Sequence, residues 1–135
     1  MDEKKRIEEI IGTVRAMNRC WTETWNEKEF RTYIHPDAVA IVPTTPGRIT
    51  GQEAFVAGWR GFALAVKNIA WEEKDHTVQL YAADLCAVVT YLFTIRFEMA
   101  GQEQVMQGRD MLFLTRQGRR WLVVADQFSQ EPLAA

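Results

Sequence analysis

Residues 85–116, LCAVVTYLFTIRFEMAGQEQVMQGRDMLFLTR, decide the fold. Apolar and polar side chains alternate from Leu85 to Met99 and again from Gln104 to Arg116, and Ala100-Gly101 between the two runs is a two-residue hairpin turn. That turn sets Met99 opposite Gln102, Phe93 opposite Gly108, Tyr91 opposite Asp110 and Val89 opposite Leu112. Two further strands flank the pair, Asn68 to Tyr81 and Arg120 to Ser129, so the second half of the chain reads as one antiparallel meander. Strands longer than the usual five or six residues suit a curved sheet that wraps around helices.

A three-residue turn, Gln117-Gly118-Arg119, is expected to close the last hairpin, placing Asp110 opposite Asp126 and Leu112 opposite Val124. One face then carries Val89, Tyr91, Phe93, Asp110, Leu112, Val124, Asp126 and Phe128, an apolar wall bearing two carboxyls and a phenol. The other carries Thr90, Leu92, Thr94, Arg96, Arg109, Met111, Phe113, Trp121, Val123 and Gln127, too apolar for water. A slip of one residue would exchange the faces and bring Arg109 and Gln127 into the wall instead.

Upstream the period changes. Ile7, Ile10, Ile11, Val14, Met17, Trp21 and Trp25 recur every three or four residues and paint one stripe along a long first helix. Asn26 to Ile34 reads as a short second helix, stopped at His35 because Pro36 disfavours helical geometry before it. Asp37 to Val42 reads as a strand and Thr44-Thr45-Pro46-Gly47 as a turn. Thr50 with Glu53 reads as a capping box that starts a third helix through Phe55, Trp59, Phe62 and Val66. Three helices ahead of the meander make an α+β fold. They cover one face of the sheet only, so a homodimer through the outer face is expected.

At 135 residues the chain reads as a single domain spanning 1–135. A net charge of -2 without a Lys/Arg run argues against a nucleic-acid partner, since phosphate binding needs clustered cations. The charged start, Met1 to Arg6, has no apolar run behind it, so neither a signal nor a membrane anchor is expected and the compartment reads as cytoplasmic. Cys20 and Cys86, solitary among apolar neighbours, read as reduced core thiols. His35 reads as part of a turn and His76, among Glu72, Glu73, Lys74 and Asp75, as solvated. Neither has a partner at metal-ligand spacing, and Gly47, Gly51, Gly58 and Gly61 fit no phosphate loop or dinucleotide fingerprint, so no metal and no cofactor are expected.

The order of helices, the strand Asp37-Ala-Val-Ala-Ile-Val-Pro, the helix start Thr50-Gly-Gln-Glu-Ala-Phe, and the closing Gly108-Arg-Asp-Met with Trp121-Leu-Val-Val-Ala-Asp-Gln-Phe-Ser resemble the nuclear-transport-factor-2-like superfamily over almost the whole chain. Within it the pattern is similar to SnoaL-like proteins and to the association domain of calcium/calmodulin-dependent kinase II. The resemblance implies a cone-shaped fold, with the curved sheet wrapped around the three helices and a pocket between the first helix, the third helix and the sheet. It usually implies a dimer. It implies no single function, because isomerases, cyclases, hydrolases, transport factors and assembly modules share the fold. Association domains place pocket arginines at positions matching Phe93, Leu112 and Phe128; all three are apolar here, which shifts the expected ligand from a small acid to a less polar molecule.

The candidate pocket residues are therefore Trp25, Trp59, Phe62, Phe93, Leu112 and Phe128, although Trp59 and Phe62 at helical spacing also suit plain core. Two carboxyls brought together in apolar surroundings do not both ionise easily, which suits proton transfer. Family isomerases use a carboxylate base with Tyr or protonated Asp donors, and Asp126, Tyr91 and Asp110 match those roles by residue type. Alternatively Asp110 pairs with Arg109 or Arg96, and Asp126 caps an exposed strand. Three functions stay open: a homodimer binding an unidentified small, mainly apolar molecule; a cofactor-free isomerase, cyclase or hydrolase working through Asp126 and Asp110; and a non-catalytic assembly module.

Overall fold

A computed structural model describes residues 2–132. The first helix, α1 (Glu3–Thr22), starts where the Asp2 side chain accepts the Lys5 N–H at 2.8 Å, and its three-and-four spacing buries Ile10, Val14 and Met17. It stops three residues short of Trp25, which lies in the following link with its ring 5.4 Å from that of Phe30. The second helix, α2 (Glu27–Arg31), is capped by Asn26 and ends before Ile34. The expected helix to Ile34 gives way to the sheet: the Tyr33 carbonyl already accepts the Val123 N–H at 2.8 Å, and Ile34, His35 and Pro36 open strand β1 (Ile34–Ile41).

After the short β2 (Ile49–Thr50) comes α3 (Gln52–Ala65), entered through Gly51 at φ 91°, a backbone angle that favours glycine. The expected capping box is absent, because Thr50 is paired with Val39 in the sheet and Glu53 turns to Arg31 instead.

Four long strands follow, β3 (Lys67–Tyr81), β4 (Cys86–Met99), β5 (Gln102–Gln117) and β6 (Arg120–Gln130), in the spatial order β2-β1-β6-β5-β4-β3. They form the expected antiparallel meander, and β1 adds itself parallel to β6. The β4–β5 hairpin has the expected register, with Phe93 opposite Gly108 and Tyr91 opposite Asp110. Its turn residues, Ala100 and Gly101, both take positive φ, the geometry that matches strand twist.

The next hairpin differs. Its turn is the two residues Gly118-Arg119, since Gln117 pairs with Arg120, and the resulting register sets Asp110 opposite Phe128 and Leu112 opposite Asp126. Phe113 pairs with Ala125 and Leu114 with Val123, so Val124 is an extra residue, a β-bulge that reverses the alternation along the strand. As a result Trp121 and Val123, expected on the outer face, are buried in the core together with Asp126 further along. A second bulge lies in β3, where Asp75 and His76 together oppose Tyr91 and Asp75 adopts φ 57°. It aims His76 inward, on the same side as Trp71 and Glu73.

The helices cover the inner face of the curved sheet, burying Val89, Tyr91, Phe93, Ile95 and Phe97 of β4. On the outer face Met111 and Phe113 each keep 41% exposure and Val105 61%. Cys20 is buried, but Cys86 is exposed: Ala87 takes the inward position beside it, so strand alternation turns Cys86 out. No helix among the described residues is long and apolar enough to cross a membrane.

Candidate functional site

A cavity of about 150 Å³ lies between α1, α3, the segment after β1 and the inner face of the sheet. Its walls are aromatic: Trp21 from α1, Trp59 and Phe62 from α3, Trp71 from β3, Phe93 from β4 and Phe128 from β6. Val42, Pro43, Thr44 and Thr45 complete the lining where the chain leaves β1. Phe93 is fixed from two sides, with Trp71 stacked on it at 5.1 Å and Phe128 edge-on at 6.3 Å. Its ring lies over Gly108, where a Cβ would come within 2.2 Å of Phe93 Cζ, so only glycine leaves room for it there.

One end of the cavity is polar. Asp110 and Asp126 reach it from the neighbouring strands β5 and β6, 8% and 4% exposed, within hydrogen-bonding reach of each other. The Tyr91 hydroxyl donates to Asp110 Oδ2 at 2.6 Å and accepts from Asn18 Nδ2 at 3.0 Å. The same Asn18 amide donates to Glu73 Oε2 at 3.0 Å, and Asn18 Oδ1 takes the Trp21 indole N–H. Glu73 also accepts from Trp71 Nε1 at 2.9 Å and contacts His76 Nε2 at 2.8 Å, and the His76 ring stacks on Tyr91 at 5.1 Å. A continuous buried network thus runs from His76 to the carboxyl pair.

Burial penalises the charged carboxylate, so both aspartates are held above the usual carboxylate range, Asp126 well above it because the Asp110 charge adds to the burial. For Asp110 hydrogen bonds from Asp126 and Tyr91 work against the burial, which makes Asp110 the member that better tolerates ionisation. The Tyr91 hydroxyl is pushed far up, first by burial and then by Asp110. Asp110 Oδ1 and Asp126 Oδ1 are buried with no hydrogen-bond donor reaching them from the rest of the described chain. Such groups are costly unless a shared proton or a ligand satisfies them.

Of the residues named from sequence, Tyr91, Asp110, Asp126, Trp59, Phe62, Phe93 and Phe128 line the cavity. Trp25 and Leu112 do not: Trp25 left the helix and packs on Phe30, and Leu112, fully buried, is part of the solid core. Arg109 and Gln127 lie exposed on the outer face, where Arg109 Nε donates to Ser129 Oγ at 3.0 Å, so the alternative register is not adopted. Asn18, Glu73, Trp71 and His76 were missed, and Trp21, which suited either core or cavity on the first helix, lines the cavity. Asn18 carried a signal, being four residues after Val14 and three before Trp21, a polar residue inside an apolar helical stripe. His76 is not solvated; its side chain is 5% exposed, because the Asp75 bulge turns it inward. Among the described residues no three His, Cys, Asp or Glu side chains cluster to hold a metal.

Residues 14–133 match the SnoaL-like domain family. No curated protein matches the chain. Among solved structures, a ketosteroid isomerase-like protein from Erwinia carotovora atroseptica is 14% identical, covers 98% of this chain and 100% of its own, and superposes with a TM-score of 0.79. A nuclear transport factor 2-like superfamily protein from Salmonella enterica serovar Typhimurium is also 14% identical, covering 99% of this chain and 96% of its own at a TM-score of 0.81. A protein provisionally named a calcium/calmodulin-dependent protein kinase II association domain, from Xanthomonas campestris, is 20% identical over 93% of this chain and 88% of its own, with a TM-score of 0.73. Likeness at these identities concerns the fold.

Proposed function

The chain belongs to the SnoaL-like domain family, and from that premise we propose that it binds one small, mainly apolar molecule in the aromatic cavity, with a polar group of the ligand docked on Asp110 and Asp126. The observation that carries this reading is the distribution of polarity: walls that are mainly aromatic and aliphatic, and at one end two aspartates whose buried Oδ1 atoms have no donor. About 150 Å³ is the volume of an apolar cavity that accommodates a benzene ring. Methionine methyl NMR tests it, since Met106 lines the cavity and Met111 lies outside on the sheet. Toluene and cyclohexanone should shift the Met106 methyl saturably and leave Met111 in place. A response of equal size at both methyls, or none, would sink the reading.

The carboxyl pair favours a second reading, cofactor-free acid–base catalysis of the isomerase, cyclase or hydrolase type. An acid and its conjugate base within hydrogen-bonding reach suit moving a proton on a bound molecule. Matching by residue type made Asp126 the base and Asp110 the donor. The Tyr91 hydrogen bond favours the reverse, with ionised Asp110 as base and Asp126 holding the proton. Exchange of the α-hydrogens of bound cyclohexanone into heavy water, lost in Asp110→Asn, would support catalysis; solvent-rate exchange would leave a binding protein.

We also propose that the protein acts as a homodimer through the outer face, where Val105, Met111 and Phe113 stand exposed. Sedimentation should show a dimer that Phe113→Glu converts to monomer, and a monomeric native protein at micromolar concentration would refute it.

A further inference from the structure

We propose that the polar group docked on Asp110 and Asp126 is a protonated amine, so that the ligand class is a small aryl- or cycloalkyl-substituted ammonium; this rests on the reading of the cavity as a ligand site. The eighteen described residues lining the cavity include two carboxyls and no Lys, Arg or His. The side-chain donors in the network that reaches the carboxyl pair are engaged with one another: the Tyr91 hydroxyl donates to Asp110, Asn18 Nδ2 to Glu73 and Tyr91, and the Trp21 and Trp71 indoles to Asn18 and Glu73. Two buried acceptors, Asp110 Oδ1 and Asp126 Oδ1, are left without a donor on the two aspartates that line this end of the cavity. A ligand complementary to that end therefore supplies N–H donors, of which an ammonium has three and no acceptor.

Charge leads to the same class. A carboxylate ligand would meet Asp110 and Asp126 with nothing to neutralise it, whereas a cation finds opposite charge in the pair and lies among the rings of Trp59, Trp71 and Phe93, aromatic residues whose quadrupole favours a nearby cation. A neutral ligand gains neither effect. The titratable groups facing the pair are Tyr91 from β4 and Glu73 and His76 from β3; α1 and α3 present Asn18, Trp59 and Phe62 to the cavity, none of which titrates. Because burial keeps a proton on the empty pair, an ammonium that docks there must displace it to solvent, and its affinity rises with pH until the pair is ionised.

The test is isothermal titration calorimetry of the full chain with the isosteric probes benzylamine, benzyl alcohol and benzoate. Benzylamine should bind about tenfold or more tighter than benzyl alcohol at neutral pH, with benzoate weakest, and should gain affinity from about pH 5 to about pH 8 while it stays protonated. The double variant Asp110→Asn/Asp126→Asn, near-isosteric and neutral, should remove both the preference and the pH dependence. Should it fail to fold, Asp110→Asn alone, which removes the carboxyl that better bears charge, should cut the preference for benzylamine at least about threefold, and an unchanged preference there overturns the assignment. Benzyl alcohol binding as tightly as benzylamine, or a benzylamine affinity flat with pH, overturns the amine assignment and leaves the ligand cavity standing. Failure of all three probes, with toluene and cyclohexanone also silent, removes the cavity reading itself.

Discussion

Gly108→Ala places one methyl group against the cavity wall, and its consequence follows from the β4–β5 register. The added Cβ would sit 2.2 Å from Phe93 Cζ, with Cε2 at 2.6 Å and Cε1 at 2.8 Å. Carbon contacts settle at about 3.5 Å, so the far edge of the ring has to retreat by roughly 1.3 Å. Trp71 stacks on one side of that ring and Phe128 stands edge-on to it, which leaves the cavity as the direction of escape. Overpacking of this kind costs about 1–3 kcal/mol, against a gain of about 0.5–1 kcal/mol because alanine loses less backbone freedom on folding. At mid-range the two leave a net loss of about 1 kcal/mol, which should lower the urea midpoint by about 0.5–1 M, read by far-ultraviolet circular dichroism. The displaced ring should also weaken toluene binding at least about tenfold. Phe93→Leu in the same chain removes the clash, so the two changes should be non-additive by about 1 kcal/mol. A Gly108→Ala protein as stable as the native one, with toluene affinity intact, would refute the packing of Phe93 over a bare backbone.

Asp126→Asn should flatten the pH profile of stability. The folded Asp126 carboxyl is held well above its ordinary 3.8, so the native protein is most favoured below that pH and loses stability as pH rises towards the folded value. The asparagine variant lacks that decline, and its advantage in urea midpoint should grow from acid to neutral pH; a constant difference would contradict the burial argument. His76→Ala leaves Glu73 Oε1 buried without its partner and strips the stacking from Tyr91, a loss of about 2–3 kcal/mol in urea melts. A loss under about 0.5 kcal/mol would mean the histidine is peripheral. Thr50→Ala should change stability by less than about 0.5 kcal/mol, because Thr50 caps nothing, whereas a formed capping box would lose about 1 kcal/mol.

Much of the fold was legible because strand length and one two-residue turn suffice to fix the β4–β5 register, and with it the neighbours Tyr91 and Asp110 and the ring of Phe93 over Gly108. The errors gather at the bulges. Val124 and the Asp75–His76 pair add a residue that no alternation pattern reveals, and each reverses which parity faces inward. Asp126 was placed on the correct face because it lies beyond the Val124 bulge; Trp121 and Val123 lie before it and were turned the wrong way. The cavity was half legible. Residues from the meander and α3 could be assembled from one period each, whereas Asn18, Glu73 and His76 join the site only through contacts between α1 and the edge strand β3, and pairing of that kind leaves little trace in local sequence. Thr50 and Glu53 show the opposite failure, a local signal overruled by sheet pairing and by Arg31.

Three of the five tryptophans, Trp21, Trp59 and Trp71, line the cavity, and the indoles of Trp21 and Trp71 stand edge to face 4.9 Å apart. The site is therefore its own optical reporter. Excited indole is quenched by a neighbouring neutral carboxylic acid more than by a carboxylate, so fluorescence intensity should follow the protonation of Asp110 and Asp126, and the coupled pair should give an exciton band in circular dichroism. A molecule entering between these rings would change both without any label. Protein purified with a ligand already in place would declare it in the first spectrum recorded.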